Sequence, residues 1–237
     1  MKLFSALTHI RGHAVWTRGL GPGTVVVDAG AHKGEFSRTM TQDYGCTCYL
    51  VEANPLLAEK MRENGVENVI NAALGGDDGF ARFITRENPE GGGIIANLTD
   101  TGEASVEVET VSLPTLVERL SLPKIDLLKL DIEGAEFDLF RKIPGKFLEG
   151  IGQITVEFHD FLPTFKNQGL YEIARDRLVG LGFICCPMAF RTHGDVLFLN
   201  QKNLKIGTVP AWAYSHLARW WLRLSADPSE WVKSRRW

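Results

Sequence analysis

The sequence predicts a doubly wound α/β fold built on a mostly parallel, seven-stranded sheet with an antiparallel last strand. Three observations predict it. Short apolar runs alternate with helical patterns, the rhythm of parallel βαβ units. Four of the runs end in an acid or a histidine: Asp28, Glu52, Asp131, and Glu157 with His159. The first run feeds a strand, a glycine turn and a helix start over Thr24 to Phe36, the kind of corner that holds nucleotides.

Residues 3 to 14 place Leu3, Leu7, Ile10 and Ala14 at helical spacing, with His9, Arg11 and His13 off the apolar face. This predicts an amphipathic helix, packed on the domain edge or acting as a lid. Gly19 to Gly23 breaks the pattern, so the core starts at Thr24. In the corner that follows, Gly30 can take a positive φ and let the backbone approach a ligand. A helix is expected over Glu35 to Tyr44, a strand over Thr47 to Ala53, and a helix opened by Asn54–Pro55 and stopped at Gly65. Asn68 to Leu74 reads as the third strand.

The middle reads as a β-hairpin insertion, Phe80 to Thr85 and Val106 to Val111, around a loop holding Gly91, Gly92 and Gly93. Such a loop suits substrate contact. A short helix over Pro114 to Leu120 follows, then a buried strand over Ile125 to Asp131. Gly134 permits a sharp turn into a helix over Ala135 to Ile143. Gln153 to His159 is the fifth strand and Leu170 to Leu181 a helix; Phe183 to Pro187 and Val196 to Leu199 close the sheet as a hairpin. The tail places Ala213, Leu217, Trp220, Trp221 and Leu224 on one helical face and His216, Arg219 and Arg223 on another. Asp227 to Glu230 has the form of a capping box for a last short helix. Packing against the body is the expected role of the tail, with a membrane-surface or protein contact as the alternative.

Composition narrows the class. The chain has 237 residues, 44% hydrophobic and 23% charged, with a formal net charge of −3. That is enough for a substantial core and gives no global field for nucleic acid, so no nucleic-acid partner is expected. No apolar run reaches the roughly 18–20 residues of a membrane span, and Leu3 to Leu7 is too short for a signal-peptide core. Cys46, Cys48, Cys185 and Cys186 lie in strand-like runs without CxxC spacing, which predicts buried thiols in a reducing, cytoplasmic setting.

Ligands of a doubly wound sheet bind beyond the carboxyl ends of its strands, where these acids gather. Glu52 follows Asp28 by 24 positions, the placement that lets a carboxylate accept from both hydroxyls of a ribose. NAD and S-adenosylmethionine both meet that requirement. The turn lacks a full GxGxxG and has only Lys33 near it as a phosphate partner, which favours the phosphate-free sulfonium. Asp28 is then placed to hold the amino group through water or the turn amides, and Asn71 to accept from the adenine amine. Methyl transfer to a hydroxyl needs positioning and a proton acceptor. His159 is the candidate base, its ring oriented by Glu157 or Asp131, which share its sheet edge. A divalent metal on Asp131, Glu157 and His159 is an alternative way to acidify the hydroxyl, and is not expected. Glu133 and Glu136 read as acids favourable to a helix start.

DAGAHKGEFS, LVEANP, INAALG, KLDIEGAEFDLF and ITVEFH, in that order and spacing, resemble the FkbM-type methyltransferases, a branch of the class I, Rossmann-like fold. The resemblance spans about residues 24 to 200, and KLDIEGAE is its most specific block. The first helix and the tail lie outside it, so the chain divides into an N-terminal helical extension (1–23), a class I methyltransferase domain (24–203) and a tryptophan-rich helical tail (204–237). The resemblance implies that Asp28, Gly30 and Gly34 form the cofactor turn, with His32 standing where the family more often has asparagine. Glu52, with Ala53 beside it, would hold the ribose, Asn71 and Ala72 would flank the adenine, and Asp131 would face the methyl group. The implied reaction is O-methylation of a small-molecule or carbohydrate hydroxyl. The other classes weighed are a nucleotide-dependent oxidoreductase, a nucleic-acid methyltransferase and a non-catalytic cofactor-binding module.

Overall fold

The computed structural model describes residues 4–84, 93–95, 105–166, 168–189 and 192–225. The chain opens with a hairpin, β1 (Leu7–Ile10) and β2 (His13–Trp16), then β3 (Val25–Ala29), α1 (Glu35–Tyr44), β4 (Thr47–Glu52), α2 (Pro55–Glu63) and β5 (Val69–Asn71). An insertion follows: β6 (Ala73–Gly75), β7 (Gly79–Ile84), β8 (Gly93–Ile95) and β9 (Ser105–Ser112). The rest is α3 (Leu113–Arg119), β10 (Leu127–Leu130), α4 (Glu136–Lys142), α5 (Gly145–Leu148), β11 (Gln153–Val156), α6 (Leu170–Gly180), β12 (Phe183–Pro187), β13 (Val196–Asn200) and α7 (Thr208–Ser225).

Seven strands form the main sheet in the order β12-β13-β11-β10-β3-β4-β5. Its pairings are parallel except where β13 meets β11 and β12, so β13 alone runs backwards. The order reverses between β3 and β10, which is where a doubly wound sheet opens a crevice. Side chains of successive residues leave opposite faces. Val25, Val27, Leu128, Leu130, Ile154 and Val156 pack with α3, α4 and α6 on one face. On the other face, Val26, Leu50 and Leu127 pack with Phe36 and Met40 of α1, Met61 of α2, and Ile10 and Val15 of the hairpin.

The hairpin replaces the expected first helix. Leu7, Ile10 and Ala14 are buried as expected, but a two-residue turn separates them. Arg11 and Gly12 both take positive φ, 52° and 90°, as a tight hairpin turn requires. Trp16 locks β2 onto the main sheet: its amide donates to Gln153 Oε1 at 2.9 Å and its carbonyl accepts from Gln153 Nε2 at 2.8 Å.

The expected third strand also divides. Val69–Asn71 pairs with β4, whereas Ala73–Gly75 leaves to pair with β9 in a separate four-stranded sheet ordered β6-β9-β7-β8. The hairpin insertion is present as β7 against β9, antiparallel. Gly91 and Gly92 of its loop, and the Asp227–Glu230 capping box, lie outside the described residues. No helix among the described residues is long and apolar enough to cross a membrane.

Candidate active site

A cavity of about 550 Å³ opens at the carboxyl ends of β3, β4, β10 and β11. Its first wall is the glycine turn. Gly30 (φ 74°) donates its amide to Val51 O at 2.9 Å. A Cβ at Gly30 would sit 1.7 Å from the backbone oxygen of Asp131. What the missing side chain admits is therefore the end of β10, and only indirectly a ligand. Gly30→Ala is expected to destabilise the protein by more than about 3 kcal/mol. Thermal melting checks this; a midpoint within about 2 °C of the parent would show that the turn can relax.

Glu52 ends β4 and is 6% exposed. Its Oε2 accepts from the His32 amide at 2.7 Å and its Oε1 from the Asn54 amide at 2.8 Å. Burial raises its pKa; those two amides, His32 and Lys129 pull it back. Each oxygen keeps a lone pair for a ligand hydroxyl. Two non-glycine residues of the cavity wall, His32 (φ 53°) and Glu133 (φ 54°), hold the left-handed conformation. Backbone in that region is uncommon and gathers at functional sites.

Behind the turn lies a buried charge network. Lys129, in the middle of β10, has a side chain only 5% exposed. Its Nζ donates to Gly30 O at 2.7 Å and ion-pairs with Asp28 at 3.3 Å and Asp131 at 3.6 Å. Burial would lower its pKa, but Asp28 and Asp131 outweigh it, so the net shift is upward. Asp28 is fully buried and its Oδ2 accepts from Ser37 Oγ at 2.7 Å. Burial opposes ionisation of Asp131, yet Lys129, His13 and His159 hold its carboxyl well below the usual range.

The far wall is made of Asp131, Glu133, Glu157 and His159. Glu136, the first residue of α4, is fully buried; its Oε1 accepts from the Ile132 amide at 2.9 Å and lies 3.0 Å from His159 Nδ1. Glu136 therefore orients the imidazole, a correction to the expected partners Glu157 and Asp131. His159 Nε2 faces Glu133 at 3.5 Å and Asp131 at 3.8 Å. Burial would lower the His159 pKa, but Glu136, Glu133 and Asp131 lift it to about 9. Glu157 is pushed up to about 7 by burial and by the charges of Asp131 and Glu133, against the pull of His159.

The hairpin adds His13, 4% exposed, with Nε2 3.9 Å from Asp131 Oδ2. Donor atoms of Asp131, Glu133 and His159 lie within 4.8 Å of one another, as do those of His13, Asp131 and Glu157. Either set could hold a divalent ion. The alternative ligand trio read from the sequence, Asp131, Glu157 and His159, is split between them.

Of the sequence-predicted residues, Gly30, His32, Glu52, Ala53, Ala72, Asp131, Glu157 and His159 line this one cavity. Asp28, Gly34 and Asn71 stand behind its wall. Asp28 faces Lys129 and Ser37. A Cβ on Gly34 would sit 3.1 Å from both Leu50 and Met61, so that glycine serves the packing of α1. Asn71 Nδ2 donates to the carbonyls of Glu52 and Ala53 at 2.9 and 3.2 Å, tying β5 to β4. Sequence reasoning missed Lys129 and His13, and read Glu136 as a helix-start acid only. The signal for Lys129 was a lysine between Leu128 and Leu130 in a wholly apolar strand. It also missed Phe83 of β7, through which the insertion reaches the cavity.

The fold and this cavity define a Rossmann-like α/β protein with an open cavity across the carboxyl ends of its parallel strands. Residues 28–196 match the Methyltransferase FkbM domain, and the chain belongs to that family of S-adenosylmethionine-dependent methyltransferases. A curated relative is the AMB antimetabolite synthetase AmbE of Pseudomonas aeruginosa, 27% identical over 143 residues, 57% of this chain. The chain spans only 6% of that protein's length. Among solved structures, a methyltransferase from Pyrococcus furiosus is similar with a TM-score of 0.41 and 15% identity, over 77% of this chain and 78% of that one. A precorrin-6y C5,15-methyltransferase from Geobacter metallireducens gives 0.38 and 13%, over 76% and 80%.

Proposed function

We propose that the protein transfers a methyl group from S-adenosylmethionine to a hydroxyl of a small molecule, sugar or glycan. The observation that carries this is Glu157: a carboxyl lifted to about 7 on the wall of the cavity that also holds Glu52. A hydroxyl acceptor must lose its proton as it attacks, and a base works best with a pKa near the operating pH.

The cavity suits the methyl donor. Five carboxylate residues line it, Glu35, Glu52, Asp131, Glu133 and Glu157, against Lys33 and the His159 imidazolium. That balance favours a cation and disfavours a pyrophosphate. The buried Nε2 of His32 has no hydrogen-bond partner among the described residues, and supplies a further polar contact for a ligand. Glu52 would accept from the ribose hydroxyls, with Ala53 and Ala72 beside the base. When bound, S-adenosylmethionine supplies an electrophilic methyl group.

The chain's own work is positioning and proton handling. His159, at about 9, is an imidazolium at neutral pH, so it replaces its expected role as base with that of a cationic donor. Its Nδ1–H is fixed by Glu136, which leaves Nε2–H for the site. Glu157 takes the proton from the acceptor. Asp131 stays ionised beside both.

Titration calorimetry tests the donor. S-adenosylhomocysteine is expected to bind and NAD not to, and Glu52→Gln should weaken binding by about 1.5–3 kcal/mol, the worth of a charged hydrogen bond. Tighter NAD binding, or an unchanged affinity in a folded variant, would overturn the donor site. Methyl-labelled S-adenosylmethionine with a panel of polyols and sugars tests the acceptor, with an O-methyl ether as the expected product. Label found only on nitrogen or carbon in a wider panel would refute the hydroxyl assignment.

A further inference from the structure

Helix α7 docks on the body through Tyr214 and Ala218, which are buried against Leu7, Trp16, Ile184 and Leu197; Ala213 is buried as well, and Trp16 Nε1 donates to Tyr214 Oη at 3.2 Å. Three bulky residues face outward. Val209 is 76% exposed, Trp212 58% and Trp220 50%, and at 100° per residue these three fall within one quarter-turn of the helix. Trp221 instead stacks on Phe4 at 5.9 Å, so the expected apolar face is divided, with Ala213 and Trp221 turned to the body and Trp220 to the outside.

A histidine and an arginine lie among these rings. His216 stacks on Trp212 at 5.1 Å, and the Arg219 guanidinium sits 5.9 Å from the Trp220 ring centre. No acid occurs in α7. From Thr208 to the last residue the sequence holds five arginines and lysines against two acids, in a chain whose formal net charge is −3. The positive charge is thus concentrated on the segment that exposes its tryptophans. Tryptophan prefers the boundary between water and lipid headgroups, where its apolar body and polar tip are both accommodated. A basic, aromatic helix face binds such a boundary by apolar burial plus attraction to anionic lipid.

We infer that the outer face of α7 is a docking site for an anionic lipid bilayer, lying in the headgroup plane. The helix does not span the membrane. Charge complementarity selects this occupant over a symmetric contact with the α7 of a second copy, which carries the same positive charge.

Vesicle flotation with the full-length protein tests this. Recovery is expected with vesicles of phosphatidylglycerol and phosphatidylcholine, with a blue shift of tryptophan emission, and little is expected with phosphatidylcholine alone. Trp212→Ala/Trp220→Ala should lower the partition coefficient about tenfold while its far-ultraviolet dichroism and melting midpoint match the parent. Salt near 1 M, where the screening length falls to about 3 Å, should release much of the parent protein. Recovery equal on neutral vesicles, equal for the double variant, or absent on anionic vesicles would overturn the inference. A change in solution mass of the double variant without any vesicle binding would assign the face to self-association instead.

Discussion

Lys129→Met is expected to destabilise the protein by about 3–5 kcal/mol, because removing one partner leaves buried charge without compensation. The lysine is the single cation between Asp28, fully buried, and Asp131, and it also holds the Gly30 carbonyl at 2.7 Å. Methionine keeps the volume and the apolar stem but leaves the buried Asp28 carboxylate and that of Asp131 without the cation they share. The sign of the pH dependence follows. In the variant the two carboxylates lose the cation they share, and uptake of a proton relieves their repulsion, so stability returns as pH falls. In the parent the Asp131 carboxyl is held low, so its contribution is present above the ordinary carboxylate range and lost on acidification. Lys129 is shifted upward; its contribution is present through neutral pH and lost only above the ordinary lysine range. Urea unfolding at several pH values checks this. Adding Asp28→Asn to the variant should restore part of the loss, since it removes the buried charge that was orphaned. A single variant that melts with the parent at pH 8 would mean that water or a counter-ion reaches the network.

The parallel sheet was legible because its strands are short, apolar and separated by helical patterns, and because burial of both faces demands such runs. The carboxyl-edge acids were legible for a related reason. An acid directly after an apolar strand has few places to go other than the strand's mouth. That reasoning cannot see inside a strand or across the chain. Lys129 was hidden because its partners, Asp28 and the Gly30 carbonyl, lie about 100 residues away. The hairpin was hidden because Leu7, Ile10 and Ala14 satisfy a helical spacing as readily as two strands, and Arg11–Gly12 carries the turn without an asparagine or aspartate to mark it. Asn71 was assigned a ligand contact from its strand-end position, but one residue of register decides whether such a side chain meets the cavity or the neighbouring strand. Its amide ties β4 to β5, and the cavity wall passes to Ala72, Ala73 and Leu74. Glu136 shows the same limit. A helix-start acid is usually a surface charge; here the fold carries it inward to within 3.0 Å of His159.

Glu157→Gln is expected to lower turnover by about 10²–10⁴-fold, the usual contribution of a positioned proton acceptor, with a far smaller change in S-adenosylhomocysteine affinity. The pH–rate profile separates this role from a structural one. The wall of the cavity contains two groups driven apart by their surroundings: Glu157 lifted to about 7 by burial and like charge, and His159 lifted to about 9 by Glu136 and its acidic neighbours. Opposite tasks for two such groups is how one site supplies both a base and an acid near neutrality. Activity should rise as Glu157 loses its proton and fall as His159 loses its own, giving a bell whose two limbs belong to the coupled pair. Glu157→Gln should remove the rising limb. Glu136→Gln should move the falling limb to lower pH, because the imidazolium loses its buried counter-charge while keeping a hydrogen-bond acceptor. His159→Ala should slow turnover yet leave the rising limb in place, shifted upward by loss of the cation beside Glu157. Retention of the rising limb in Glu157→Gln would sink the base assignment. Loss of that limb in His159→Ala, with Glu157 intact, would return the role of base to the histidine.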